Sequence, residues 1–365
     1  MITDQISSAG TSIWLDDLSR SKITGEDEHS LPHRIAHNRV VGVTTNPSIF
    51  NSAISKGAEY ASSIAALSGK STEEVVQILT TDDVRSACDL FLPIFESSMH
   101  VDGRVSIEVD PRLARDTQAS IKQGRELWNI VDRPNVLIKI PATIEGLPAI
   151  TTLISEGISV NVTLIFSIAR YRQVFEAFAK GLELRHSAGQ SVSEVASVAS
   201  VFVSRIDTAV DALLKAQNSP AATALLGKAA LANAVLTYDA FERLCESPRW
   251  KALAEQGAKV QRPLWASTGV KDPAYDDTRY VMGLVAPNTV NTMPQATLDA
   301  VIDHGVIQEA DISSQYAVAQ SILDSLKEAG ISLDAVTDEL EDDGVKKFAD
   351  AWNELLANVE KVRTA

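Results

Sequence analysis

In the stretch NVLIKIPAT, residues 135–143, a lysine interrupts an apolar, β-like run. Alternate side chains of a strand point to opposite faces, so Val136, Ile138 and Ile140 share one face while Asn135, Leu137 and Lys139 share the other. A lysine held in a buried wall loses hydration, which favours the neutral amine. That form is the nucleophile, and in water near pH 7.4 only about one lysine in a thousand adopts it. Imine formation with a carbonyl compound is the chemistry such a placement suits. A lysine paired with a carboxylate, or one snorkelling to a phosphate, would occupy the same position, and this strand alone leaves both readings open.

Neighbouring strand-like runs add polar residues to the same wall. In VSIEVD, from 105, Ser106 and Glu108 alternate with Val105, Ile107 and Val109; in SVNVTLIF, from 159, Ser159, Asn161 and Thr163 alternate with Val160, Val162 and Leu164. Asp16 ends the first run, and Thr44 and Asn46 end the second. Each has an ordinary account alone, Asp16 or Asn46 as a helix cap and Thr44 or Thr163 as a strand former. Together, at the same end of successive strands, they predict a site for a polyhydroxylated ligand. Serine-type hydrolysis lacks its Gly-x-Ser-x-Gly elbow. His29, His33 and His37 are spaced by four, but Pro32 interrupts the first interval and no acid is fixed nearby, so no metal is expected.

These residues need a scaffold that brings many strand ends together. Eight β-rich runs begin near 11, 40, 104, 135, 159, 199, 262 and 280, the last being YVMGLVA, and helical periodicity fills most intervals. The alternation predicts a (β/α)8 TIM barrel with additional helices, spanning 1–365 as one domain with N-terminal and C-terminal extensions. A doubly wound sheet would call for a glycine-rich phosphate turn after a strand, which is missing. The last 50 or so residues are read as a helical segment whose Phe348, Trp352, Leu355 and Leu356 form a stripe against the barrel. The acidic DELEDDG, from 338, is read as a solvated helix end. A net charge of −15 argues against nucleic acid or an anionic membrane as partner. The opening residues carry no basic-then-apolar leader and no later window reads as a membrane span, so a cytoplasmic protein is expected. Cys88 and Cys245 are read as two reduced thiols. A homo-oligomer is left open.

Six segments, GVTTNPSIF from 42, VSIEVDPRLARDT from 105, NVLIKIPATIEGLPAI from 135, GISVNVTLIFS from 157, SVFVSRID from 200 and RPLWASTGVKDPAY from 262, resemble the successive signatures of the transaldolase family, in its longer bacterial form. The resemblance implies a class I aldolase-type transferase of the pentose phosphate pathway, acting on sugar phosphates without metal or organic cofactor. It implies transfer of a dihydroxyacetone unit from sedoheptulose 7-phosphate to glyceraldehyde 3-phosphate, giving erythrose 4-phosphate and fructose 6-phosphate. Lys139 then matches the Schiff-base lysine, and Asp16 the carboxylate that takes the C4 hydroxyl proton, with Asp17 as the adjacent alternative. Glu108 matches the acid/base that works through a water held by Thr163. Asn46, Asn161 and Ser200 would bind hydroxyls of the transferred unit, Thr44 would support them, and Phe202 would line the pocket. Arg205 and Lys271 would clamp the phosphate, with Ser267 adding a hydroxyl; better-known members of the family carry arginine where Lys271 stands. VAPNTVNTMP, 285–294, is expected to shape the mouth through backbone amides. Two rivals remain: a fructose 6-phosphate aldolase releasing free dihydroxyacetone, and a non-catalytic sugar-phosphate-binding barrel.

Overall fold

The computed structural model describes residues 1–307 and 311–364. Among them, eight parallel strands close a barrel in sequence order: β1 (Thr11–Leu15), β2 (Val40–Val43), β3 (Arg104–Glu108), β4 (Val136–Pro141), β5 (Val160–Ile165), β6 (Ser197–Phe202), β7 (Arg262–Ala266) and β8 (Thr289–Met293). The expected (β/α)8 barrel with added helices is therefore the fold. Its strands are short and almost wholly buried, as parallel strands covered by helices must be.

Local chemistry sets the helix limits. Ser71 and Glu74 form a reciprocal capping box that starts the helix Thr72–Ser97, and Ser167 caps Ile168–Ser187. On the outer face of β4, Ile138 meets the helix Thr117–Val131 at Gly124, where an added Cβ would lie 2.8 Å from Leu153 and 3.7 Å from Ile138. Glycine there makes room for Leu153 of the neighbouring helix Gly146–Ser155, while Ile138 stays at ordinary contact distance. No helix among the described residues is long and apolar enough to cross a membrane.

Two expectations need correction. YVMGLVA is not the eighth strand: Arg279–Met282 is a short helix, followed by a turn at Gly283, and β8 lies further on at Thr289–Met293. The apolar run packs against the barrel from outside, with the Tyr280 hydroxyl donating to Asp207 at 2.7 Å and the Leu284 carbonyl accepting from the Trp265 indole at 3.1 Å. Closure instead requires Thr11 to Leu15 to pair residue by residue with Thr289 to Met293. Hydropathy favoured the wrong run because β8 supplies two threonines and an asparagine to a buried sheet.

The second correction concerns DELEDDG, which is not a helix end but part of the continuous helix Leu333–Thr364. This helix crosses the C-terminal mouth of the barrel. Its acids meet partners around the mouth: Glu341 pairs at 3.1 Å with Arg170, in the first turn of the helix Ile168–Ser187, both nearly buried, and Asp342 pairs with Arg115 of the loop after β3. At Gly344 an added Cβ would lie 3.0 Å from Leu164 and 3.7 Å from Arg205, so the lack of a side chain sets how closely the helix sits on the mouth. The apolar stripe holds as expected, with Phe348 and Leu355 buried and Trp352 and Leu356 packed beside them.

Candidate active site

At the C-terminal mouth lies a cavity of about 180 Å³. Lys139, on β4, stands in its wall and is 4% exposed. Direct register sets Glu108 of β3 on one side of it and Asn161 of β5 on the other. The Lys139 amine donates to the Thr45 carbonyl at 2.8 Å and lies 3.4 Å from Glu108 Oε2. Burial pushes the Glu108 carboxyl up to about 7, although the Lys139 charge and hydrogen bond pull the other way. Among the described residues its second oxygen, Oε1, is buried without a partner, and so is Thr163 Oγ1.

Asp16 reaches the cavity from the end of β1. Its Oδ1 accepts from the Thr44 hydroxyl at 2.6 Å, and Thr44 in turn shares a 2.6 Å hydrogen bond with Thr292 of β8. Protein encloses Asp16 on the sides away from the opening, and this desolvation raises its carboxyl while Lys139 and Thr44 oppose the rise. Asp17 takes no part in the cavity wall; its carboxylate lies 3.2 Å from Lys22. Two carboxylates thus flank one lysine in different surroundings, one sealed and one open to the mouth.

Beside them, Ser200 donates to the Asn161 carbonyl oxygen at 2.6 Å and Asn161 donates to Ser106 at 3.0 Å, a buried chain across β6, β5 and β3. Ser200 lines the cavity, whereas Asn161 is fully buried behind it. Asn46 also lines it, while its side-chain oxygen caps the helix Pro47–Lys56 by accepting from Ile49 N at 3.0 Å. Phe202 forms a wall and meets Phe348 at a ring separation of 6.3 Å.

The cationic end is built by Arg205, Lys271 and Ser267. Arg205 lies against Phe202 and Phe348, at 5.5 and 6.0 Å from their ring centroids, and its buried Nη1 has no hydrogen-bond partner among the described residues. Burial lowers its pKa from the usual arginine value. Ser267 shares a 3.0 Å hydrogen bond with Ser204 and holds a left-handed backbone, φ 55°. Leu164, just past Thr163, has φ 62° where the β5–β6 register shifts. Such strain in non-glycine residues is tolerated where surrounding structure fixes it and recurs at working sites. Lys271 is exposed at the rim.

The cavity therefore gathers Lys139, Asp16, Thr163, Thr44, Asn46, Ser200, Phe202, Arg205, Ser267 and Lys271, with Glu108 and Asn161 directly behind. The segment 285–294, expected to shape the mouth, reaches the lining at Thr292 and Pro294, residues that sequence reasoning did not single out; it missed Ser48 in the lining and Phe348 as its roof. The Lys139 nitrogen lies 5.8 Å from the Phe348 ring centre. Three β-branched residues within NTVNTM, with Thr292 in step with Val290, were the available signal for Thr292; nothing local marked Phe348 as more than core.

A family model described as Transaldolase/Fructose-6-phosphate aldolase matches residues 13–359. A protein named Transaldolase from Thermobifida fusca (strain YX) is 54% identical over 357 residues, covering 97% of this chain and 96% of its own. Another of that name, from Mycolicibacterium smegmatis, is 55% identical over 354 residues, covering 96% and 94%. Transaldolase 1 of Streptomyces avermitilis is 54% identical over 358 residues, covering 98% and 94%.

Proposed function

The chain belongs to the transaldolase/fructose-6-phosphate aldolase family, and we propose that its barrel works through an imine on Lys139. The activity is that of a transaldolase: a three-carbon dihydroxyacetone unit passes from sedoheptulose 7-phosphate to glyceraldehyde 3-phosphate, leaving erythrose 4-phosphate and making fructose 6-phosphate.

The observation that carries the site assignment is the lysine in the cavity wall with two carboxylates in unlike surroundings. The Lys139 amine adds to the donor's C2 carbonyl, and the carbinolamine loses water to give a protonated imine. Glu108, with a carboxyl titrating near 7, exchanges the protons of that addition and dehydration through a water held between Glu108 Oε1 and Thr163 Oγ1. Asp16 then takes the C4 hydroxyl proton as the C3–C4 bond breaks. Those electrons flow into the iminium and form an enamine, and the aldose phosphate leaves. The acceptor aldehyde reacts with the enamine carbon, Asp16 returns its proton to the new hydroxyl, and hydrolysis frees Lys139.

Ser200, Asn46 and the remaining amide hydrogen of Asn161 bind hydroxyls of the transferred unit, with Thr44 fixing Asp16 beside them. Arg205 is the main phosphate ligand, since a half-buried guanidinium whose buried Nη1 has no partner among the described residues suits an oxyanion; Lys271 and Ser267 complete the clamp. The Phe348 roof supports transfer over release of free dihydroxyacetone, because the enamine must be shielded from water between half-reactions. The substrates are free sugar phosphates of the cytoplasm, a setting consistent with two free cysteines.

Borohydride treatment in the presence of fructose 6-phosphate tests the assignment: a reduced three-carbon adduct is expected on Lys139, and Lys139→Met should lose both adduct and turnover. Labelling of another lysine would overturn it.

A further inference from the structure

At the opposite, N-terminal end of the barrel lies a second cavity of about 180 Å³. Arg104 and Arg262, the first residues of β3 and β7, line it together with Lys259, His100 and the exposed Asn288. Leu137 and Val198 form part of its apolar wall. These two lie on the same strands as Lys139 and Ser200, two residues nearer the N-terminal end, so this cavity is distinct from the catalytic mouth.

In a chain of net charge −15, this grouping of cations is unusual, and its carboxylates are already engaged. Asp102 pairs with Arg262 at 2.9 Å, and Glu194 bonds the His100 ring at 2.8 Å. Arg104 is 1% exposed and, among the described residues, has no carboxylate within ion-pair distance. It donates to the His100 carbonyl at 2.7 Å and, more weakly, to the Pro134 carbonyl at 3.5 Å, lies over Phe95 at 4.9 Å, and leaves its Nε buried without a partner among the described residues. Lys259 is half-buried and, among the described residues, also lacks an ion pair. Burial and the neighbouring Arg262 charge lower Arg104 to about 9, and burial and Arg104 lower Lys259. Holding the loop at Met99 and His100, whose φ values are 55° and 66°, would account for the carbonyl bond and the stacking. It would not account for Lys259 or for the unused donor. Asp102 and Glu194 favour the Arg104 charge from beyond ion-pair distance, and Glu194 does the same for Lys259, but burial outweighs them at both cations; an anion in the cavity would offset the remaining cost at Arg104 and Lys259 together.

We propose that this cavity binds a phosphate-sized oxyanion, held by Arg104 and Lys259 with Arg262 adding charge.

The test is calorimetric titration of the full chain with inorganic phosphate in an Arg205→Ala background, which weakens the phosphate position at the catalytic mouth. One saturable site per chain is expected to remain. Adding Lys259→Met should weaken it at least about tenfold, as loss of a charge-assisted hydrogen bond does. Asn288→Asp, which sets a carboxylate at the rim in a left-handed position that aspartate tolerates, should weaken it similarly and serves as the independent variant. Absence of saturable binding in Arg205→Ala would overturn the proposal. So would binding that neither substitution alters, which would mean that phosphate occupies the mouth only.

Discussion

The Lys139 amine and Glu108 Oε2 lie 3.4 Å apart on strands in direct register, with only 5% and 4% of their side chains exposed. A carboxyl this sealed pays for its charge in lost hydration, and the lysine offsets only part of that. The Glu108 carboxyl can therefore take up and release a proton near neutral pH, as the proposed imine formation and hydrolysis require.

This arrangement predicts a pH dependence of stability. The Glu108 carboxyl is raised from an ordinary value of 4.5 to about 7 in the folded chain, so between those values the folded state keeps a proton that the unfolded state has lost. Its contribution to stability is full below about 4.5 and is lost as pH rises through 7. Glu108→Gln should flatten that decline, and its melting temperature relative to the parent should improve from pH 5 to pH 8. An unchanged difference across that range would show that Glu108 ionises normally.

Lys139, Glu108 and Thr163 were legible because strand alternation is local: each lies an even number of residues from other polar members of its wall. Asp16 and Asn46 were legible for the same reason, as strand ends. Thr292 was hidden because the stronger apolar run from Tyr280 imitated a strand, and only closure against β1 shows which segment is the eighth. Phe348 was read correctly as buried but not as a roof, because its placement depends on the path of a 32-residue helix and on the close approach at Gly344. Those are tertiary facts with no local pattern.

Phosphate recognition should fall unevenly on its two cations. Arg205→Ala removes a buried donor and should weaken phosphorylated substrates by about 1.5 to 3 kcal/mol. Lys271→Ala removes an exposed rim charge and should cost about 1 kcal/mol or less. Neither should alter the reaction of dihydroxyacetone itself. Steady-state comparison of fructose 6-phosphate with dihydroxyacetone checks this, and equal losses on both would place the two residues elsewhere in the mechanism.

Phe348 should govern what becomes of the enamine. Phe348→Ala opens the mouth above Lys139, so water can protonate and hydrolyse the intermediate before an acceptor arrives. Fructose 6-phosphate turnover without erythrose 4-phosphate should rise several-fold relative to transfer. Stability should drop by roughly 3 kcal/mol, as expected for a buried phenylalanine, so assays belong well below the variant's melting temperature. If the ratio of free dihydroxyacetone to transfer product stays at the parent value, the helix is only a structural cover.

Asp16 and Glu108 act at different points of the proposed cycle and can be separated by what accumulates. Asp16 is needed only once the imine exists, to take the C4 hydroxyl proton as the C3–C4 bond breaks. Glu108 is needed while the imine is made or hydrolysed. Asp16→Ala should therefore form the imine and stall, so that borohydride traps the whole six-carbon phosphorylated sugar on Lys139. Glu108→Ala should form any adduct slowly. Each should lose on the order of 10² to 10⁴ in rate, the range for general acid–base groups. Asp17→Ala is the control: its carboxylate is held toward Lys22, and it should retain most activity. Mass spectrometry of the reduced protein distinguishes the six-carbon adduct from the three-carbon one. A three-carbon adduct predominating in Asp16→Ala would mean that cleavage proceeds without Asp16, and another group would have to be the base.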